Sequence, residues 1–482
     1  MLVLRRLLLL CLTTLLMAVL AEPWVQVAVH SDWPKTVKNV LFLLPLAGSA
    51  IVVGYEHRWR EFGTRIDVLL AVLAATMVLS GLLGAVPMVV VGKALYVYLR
   101  GVIVFYAIRA LKPSRQWIRV MLWSVGIWAG INSVIALAQV AIGPPAYRVF
   151  GWTDLSAASI HRAQGLFDHP NDLGHLTGLA LLGVLAVSSA SWAGWHRWAA
   201  AGLFATGLAA SQSRESLLGV AVGAAVIAAR RRLPMRKLVA AVLVVVAMAA
   251  TPIVAMPGVR TEVVRRVWGV SDAIGLPIGH GRPQPDPNLP VCGPPSPEPK
   301  QDGIPGSPCR QLKPEREIRI LYAQQGFSLL AARPLLGYGV GTFGGIVALE
   351  HDPRWHQHPR LGPGGFDLFG FHGKTVDSFW LHLIVEVGVI GFACYLLWLA
   401  GLARRVRRSP WALACIAFGV VIAVFSPALE GPLVPPLLFA VIGIAMQPPG
   451  APLRVDEGPF LTTAGDISCI NARTASERLL AG

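Results

Sequence analysis

Residues 376–408 read VDSFWLHLIVEVGVIGFACYLLWLAGLARRVRR, an apolar run followed directly by four arginines. A helix needs about 20 mostly apolar residues to cross the hydrocarbon core of a bilayer. Short cytoplasmic loops carry an excess of Lys and Arg. The stretch therefore predicts a membrane-spanning helix whose second end faces the cytoplasm.

The composition of the whole chain supports the same class of protein. Of 482 residues, 54% are hydrophobic and only 14% are charged, whereas soluble domains carry roughly 25% charged residues. A soluble globular protein is therefore excluded. The net charge of +16 does not indicate nucleic-acid binding, because much of it lies in short loops between apolar runs, where it orients a membrane protein.

Apolar runs of similar length recur along the chain. They are continuous rather than alternating, which excludes the strands of a membrane barrel. We therefore predict an all-α polytopic transmembrane helical bundle of about 12 spans. The runs cover 3–21, 37–54, 66–84, 86–108, 117–142, 173–190, 197–211, 216–229, 238–256, 376–400, 410–427 and 432–447.

The basic loops predict the orientation. With twelve spans and the N-terminus inside, four clusters fall on the cytoplasmic side. They are Arg58, Arg60 and Arg65; Arg109, Lys112, Arg115 and Arg119; Arg230, Arg231, Arg232, Arg236 and Lys237; and Arg404, Arg405, Arg407 and Arg408. The first run is either a cleaved signal peptide or, as we expect, an uncleaved helix.

Four regions follow from this map: spans 1–9 in 1–256, a large outer loop in 257–375, spans 10–12 in 376–447, and a disordered cytoplasmic tail in 448–482. In the loop, 259–274 predicts an amphipathic helix along the membrane surface. Residues 283–314 contain eleven prolines and predict an irregular insertion. Cys292 and Cys309 within it either form a disulfide or remain two free thiols.

Arginines on the outer side are the first candidates for function, because charges at a membrane are costly. Arg214 lies in a turn between two short runs, each spanning roughly 21 Å against a hydrocarbon thickness of about 30 Å. The turn is therefore predicted to lie below the outer surface. The alternative is that Arg214 pairs with Glu215 or reaches water.

Two further arginine groups face the same compartment. Arg162 lies in the segment before the sixth run, where Asp168 or Asn171 is expected to cap the next helix. Arg316 and Arg319 share one helix face or are simply solvated. Arginine's planar fork suits phosphate and diphosphate. The group therefore predicts an anionic substrate, and the surrounding membrane indicates a lipid carrier.

The ordered motifs resemble the superfamily of O-antigen ligases and polysaccharide polymerases. The resemblance covers roughly residues 60–430. It is carried by Arg162-x-x-Gly165-x-Phe167-x-x-Pro170-Asn171, Ser213-Arg214, Arg319, Pro334-Leu335-Leu336-Gly337-x-Gly339-x-Gly341, Asp377-Ser378-Phe379-Trp380-Leu381 and Glu386-Val387-Gly388-Val389-Ile390-Gly391.

The resemblance implies a C-type membrane glycosyltransferase of the bacterial inner membrane with its active site facing the periplasm. The donor would be a polyprenyl-diphosphate-linked glycan, and Arg162, Arg214 and Arg319 would bind its diphosphate. Arg316, His169, Asn171 and His372 are possible supporting residues. No cofactor, metal ion or nucleic acid is expected, and the transfer would invert the anomeric centre. A flippase and a chain-length regulator are the expected partners.

Asp377 is the predicted catalytic base. Ligases of this superfamily place a histidine at that point of the last motif, whereas many polymerases have an aspartate, so Asp377 favours a polymerase. A carboxylate accepts a hydroxyl proton if it lies within reach. The residue-level alternatives are Asp377 as a helix cap and His372 or His382 as the base. The functional alternatives are a ligase that transfers the glycan to lipid A core or protein, and a transporter.

Overall fold

The computed structural model describes residues 1–159, 162–187, 194–231, 318–355 and 375–447. Within those ranges the chain is helical and contains no strand. The helices are α1 (Leu2–Val29), α2 (Trp33–Tyr55), α3 (Arg65–Leu83), α4 (Met88–Leu111), α5 (Arg115–Ile142), α6 (Pro144–Val149), α7 (Ser156–Ser159), α8 (Pro170–Ala186), α9 (Gly194–Ser211), α10 (Arg214–Arg230), α11 (Ile318–Ala332), α12 (Ile346–His351), α13 (Phe379–Arg405), α14 (Pro410–Phe425) and α15 (Val434–Ala445).

Eleven of the twelve predicted runs coincide with helices, and the twelfth, 238–256, lies outside the described residues. Six helices are long and apolar enough to cross a membrane: α1 to α5 and α13. The remaining helices that match predicted runs, α8 to α10, α14 and α15, have 12 to 18 residues. The chain is therefore a helical, multi-pass membrane protein, and the count of twelve spans stays a prediction.

Ion pairs connect loops and helix ends at one end of the bundle. Arg58 donates to Glu61, with 2.7 Å between Nη2 and Oε2. Arg109 donates to Asp67, with 2.9 Å between Nη1 and Oδ1. The first two of the predicted basic clusters therefore lie together, as the positive-inside pattern requires.

The other basic clusters reach the same end through antiparallel packing. Ile66, near the start of α3, lies against Gly401 in the last turns of α13. Gly223 lies so close to α14 that a Cβ there would be 3.1 Å from the carbonyl oxygen of Ala414. The last turns of α10 and α13 therefore share this end, which we call the basic end. Arg162, Arg214 and the described part of the predicted outer loop lie at the opposite end.

Part of the predicted outer loop packs against the bundle. Helix α11 lies along α13, where Gly326 contacts Leu381. The chain then turns, and Val389 N donates to Pro334 O at 2.8 Å. It returns beside α13 as the segment 337–346, which we call the glycine loop. The predicted helix 259–274, the insertion 283–314 with Cys292 and Cys309, and the tail 448–482 lie outside the described residues.

Candidate functional site

The segment that carries Arg162 is buried and fixed by α5. Gln139 Oε1 accepts from Gly165 N at 2.8 Å, and Asn132 Oδ1 accepts from Leu166 N at 2.8 Å. Gly165 has φ +62°, and a Cβ there would lie 2.7 Å from Asn132 Oδ1, so only glycine fits. Phe167 is 1% exposed. These contacts explain why the motif has glycine at position 165 and phenylalanine at position 167.

Arg162 is half-buried and bridges two elements. Its Nε donates to Ser211 O at 3.1 Å, at the end of α9. Its Nη2 donates to Asn171 Oδ1 at 2.6 Å, in the first turn of α8. Asn171, a predicted supporting residue, therefore orients the guanidinium.

Arg214 lies beside this bridge. Helix α9 ends at Ser211 and α10 begins at Arg214, so only two residues form the turn. The Arg214 side chain is exposed, while Glu215 next to it is 6% exposed and lies 3.5 Å from His175 (Oε1 to Nε2). The two helices do not continue through the turn, and Arg162 and Arg214 lie at the same turn.

The cap of α8 differs from the prediction. Neither Asp168 nor Asn171 caps it; His169 Nδ1 accepts from Asn171 N at 3.1 Å. The protein atoms around His169 lower its pKa by disfavouring the charged ring, which leaves Nδ1 free to accept. Pro170 follows at the first helical position, where a missing N–H costs nothing. His169 is therefore a structural cap.

Asp168 lies beside this cap, and the pKa of its carboxyl group is raised. The surrounding protein atoms, and then the negative charge of Asp172, raise the pKa of Asp168 to about 6, although its side chain still reaches solvent. The carboxyl group therefore keeps its proton to a higher pH than an ordinary aspartate, because burial by protein atoms and the charge of Asp172 both act against ionisation.

Asp377 is half-buried and lies just before α13. The interpretation of Asp377 as a helix cap is wrong, because Ser378 Oγ accepts from Leu381 N at 3.3 Å and is the cap. Ser378 N also donates to Val376 O at 2.9 Å. Asp377 is thus the central residue of a three-residue turn directly before α13.

The C-terminal end of α14 lies near both Arg214 and Asp377. Helix α14 packs along α10 beside Gly219, about a turn and a half from Arg214. Ser426, the residue after α14, accepts from Phe379 N at 3.3 Å. Arg214 and Asp377 therefore both lie near this end of α14, opposite the basic end.

The third arginine group is described only in part. Arg319 lies in the first turn of α11, about two turns before Gly326 and on the outer side of its contact with Leu381. The structure describes its backbone position alone. Arg316 and His372 lie outside the described residues. Their predicted roles stay predictions.

Buried ionisable residues that sequence reasoning missed include Arg100, Glu386 and Glu430. Glu386 is 0% exposed and accepts from Tyr98 Oη at 2.8 Å. Glu430 is 1% exposed, and its carbonyl accepts from the guanidinium of Arg100. Arg100 and Glu386 within apolar runs were the available signal, because charges inside a membrane are rare and functional.

His382 is held by one of these carboxylates. Its Nδ1 donates to Glu430 Oε1 at 2.5 Å, and the ring is 0% exposed. The prediction ranked His382 below Asp377 as a packing histidine. The ring is more than that, because it is one partner of a buried hydrogen-bonded pair. Its burial keeps it from a substrate hydroxyl.

A comparison with known families matches part of the sequence that forms this site. A family model described as O-antigen ligase matches residues 199–396. The match covers less than half of the chain and supports its resemblance to the O-antigen ligase and polymerase superfamily. No curated protein matches the chain. The match supports membrane glycan processing of the ligase or polymerase type, with glycosyltransferase-like activity and lipid-linked glycan substrates.

The matched region contains part of the predicted site. Arg214, Arg319 and Asp377 lie inside it, whereas Arg162 precedes it. The link to Arg162 is therefore geometric, through its bond to Ser211, which the match includes. In the described ranges, no group of three or more His, Cys, Asp or Glu side chains is arranged to hold a metal ion.

Proposed function

We propose that the chain transfers glycan repeat units from a polyprenyl-diphosphate carrier, on the periplasmic side of the bacterial inner membrane. The observation that carries the proposal is the pair Arg162 and Arg214 at one turn, with Asp377 near the adjacent end of α14. Two guanidinium groups suit a diphosphate, since each offers several donors in a planar fork. Arg319 joins them from the start of α11.

The chemistry follows from these groups. A hydroxyl oxygen of the acceptor glycan attacks the anomeric carbon of the donor, and the bond between that carbon and the phosphate oxygen breaks. The hydroxyl proton passes to the Asp377 carboxylate. Polyprenyl diphosphate leaves with the bonding electrons, and the arginines stabilise its developing charge. A direct displacement of this kind inverts the anomeric centre, and it assigns the stabilising charge to arginine rather than to a metal ion.

A polymerase is favoured over a ligase. Asp377 occupies the position where the superfamily resemblance expects histidine in ligases. A ligase would use the same donor and move a finished glycan to lipid A core or to protein. Deletion of the gene separates the two: loss of a polymerase leaves single repeat units on their acceptor, whereas loss of a ligase leaves long chains on the carrier lipid.

The assay for the proposal uses purified protein in liposomes with a lipid-linked repeat unit. The wild-type protein should lengthen the glycan, and Arg214→Ala should not. Arg115→Ala is a matched control, because Arg115 is also an exposed first residue of a helix after a serine N-cap, but at the basic end. Full elongation by Arg214→Ala would refute the assignment. Solute uptake without glycan transfer would favour a transporter.

A further inference from the structure

The glycine loop is held by two buried carboxylates. Glu386 Oε1 accepts from Thr342 N and from Phe343 N, both at 2.9 Å. Glu430 Oε2 accepts from Ile346 N at 2.9 Å. A buried carboxylate is costly unless hydrogen bonds satisfy its oxygens. The two groups therefore fix the loop in one position relative to the helices.

The same loop holds one side of Asp377. Gly344 O accepts from Val376 N at 3.1 Å. Gly344 has φ +65°, and a Cβ there would lie 2.8 Å from Val376 Cγ2, so a larger residue does not fit. Because Val376 also closes the turn with Ser378, a shift of the loop moves the Asp377 carboxylate.

Glu430 is connected to the other side of Asp377 as well. Its backbone N donates to Pro427 O at 2.8 Å. Pro427 follows Ser426, whose carbonyl accepts from Phe379 N. One residue therefore fixes both flanks of Asp377, through its side chain on one side and its backbone on the other.

Glu430 is in turn oriented by His382. The bond from Nδ1 to Oε1 leaves Oε2 directed at Ile346 N. Arg100 donates to the Glu430 carbonyl from α4. Ionisable groups at such depth are retained when they fix a geometry that apolar packing does not specify.

We propose that His382 and Glu430 are positioning residues, which set the distance between the Asp377 carboxylate and the diphosphate held by the arginines. The inference rests on the proposed function, because it assigns the role through Asp377. Neither side chain touches substrate, since both are at most 1% exposed.

Steady-state kinetics in liposomes with the lipid-linked repeat unit test this role. His382→Leu should lower kcat about a hundredfold, the loss expected when a reacting group is misplaced by about 1 Å. The KM for the donor should stay unchanged, because Arg162 and Arg214 remain. Glu430→Gln keeps an acceptor for only one of its two side-chain partners and should lose about tenfold. An unchanged kcat, or a raised KM alone, would overturn the proposal.

Two further variants separate positioning from simple destabilisation. If His382→Leu does not yield folded protein, His382→Asn replaces it, since its amide keeps a donor near the Nδ1 position, and its kcat should fall less with KM unchanged. Ser133→Ala is the control: Ser133 is also 0% exposed, but its hydroxyl donates only within α5, to Ala129 O. Its kcat and KM should equal those of the wild type.

A double-mutant cycle with Asp377→Asn completes the test. If His382 acts through Asp377, the double variant should be no slower than Asp377→Asn alone, because the misplaced group is already inactive. Multiplied losses would contradict the inference. Full activity of Asp377→Asn would instead refute the proposed function, while an inactive Asp377→Asn beside a fully active His382→Leu would refute only the positioning role.

Discussion

The end of the bundle opposite the basic end contains two polar clusters that differ in exposure. In the arginine cluster, Arg214 is exposed and Arg162 is half-buried. In the carboxylate cluster, Glu386, Glu430 and His382 are each at most 1% exposed. Groups that bind a substrate must reach it, whereas groups that fix a geometry are best kept from water. The comparison therefore separates binding residues from positioning residues.

Asp377 connects the two clusters and should give the largest effect. Asp377→Asn should lower kcat for glycan elongation by about 10²–10⁴, the contribution typical of a general base. Asp32→Asn is the control, because Asp32 is an exposed aspartate at the N-cap of α2. The rate of chain growth in liposomes is the measurement. If Asp377→Asn elongates glycan at the wild-type rate, Asp377 is not the base.

Substitution of Arg214 should give the second-largest effect on glycan elongation. Arg214→Ala removes charge-assisted hydrogen bonds worth about 1.5–3 kcal/mol each, so kcat/KM for the lipid-linked donor should fall by about 10–100-fold or more. Arg214→Lys should retain part of the wild-type kcat/KM, because lysine keeps the charge but not the planar fork. The dependence of rate on donor concentration measures both. Equal losses in Arg115→Ala would show that the effect is not specific to this end.

Substitution of Gly165 tests whether the backbone segment that carries Arg162 requires glycine at this position. Gly165→Ala should lower the free energy of unfolding by about 1–3 kcal/mol, because it places a side chain at positive φ against Asn132. Gly126→Ala in α5 is the control, since open space surrounds that position, and there alanine should stabilise by about 0.5–1 kcal/mol. Thermal unfolding in detergent compares them. Equal Tm values for the two variants would contradict the strain argument.

Asp168 should give the smallest effect and depends on pH. Its pKa is raised to about 6 in the folded protein, against about 3.9 in an unfolded chain. Between those values the unfolded state loses its proton first, so the folded state loses stability as pH rises from about 4 to 6. Asp168→Asn should therefore raise the free energy of unfolding at pH 7 by less than about 1 kcal/mol, as expected for an exposed group. Its Tm should exceed that of the wild type at pH 7 and equal it near pH 4.

Periodicity and charge predicted the helices well because each apolar run is decided locally. The start of α5 at Arg115 and the end of α9 at Ser211 fall within three residues of the prediction. The cap assignments failed, since Asp168, Asn171 and Asp377 each have a neighbour with better geometry. Which oxygen reaches an N–H depends on backbone angles that the sequence does not display.

The arginine cluster was predictable as a set, and the carboxylate cluster was not. The motifs indicated Arg162 and Arg214 by their order in the chain. Glu430 contacts His382 and Ile346, which lie 48 and 84 residues away. Pairs so far apart come together only through helix packing, so the sequence indicated unusual charges without indicating their partners.

Photo-crosslinking tests the central claim most directly. A photoreactive amino acid at position 212, in the turn before Arg214, should capture a labelled polyprenyl-diphosphate-linked glycan. The same group at position 116, next to Arg115 at the basic end, should not. Crosslinking at position 116 alone, or equally at positions 116 and 212, would contradict the account.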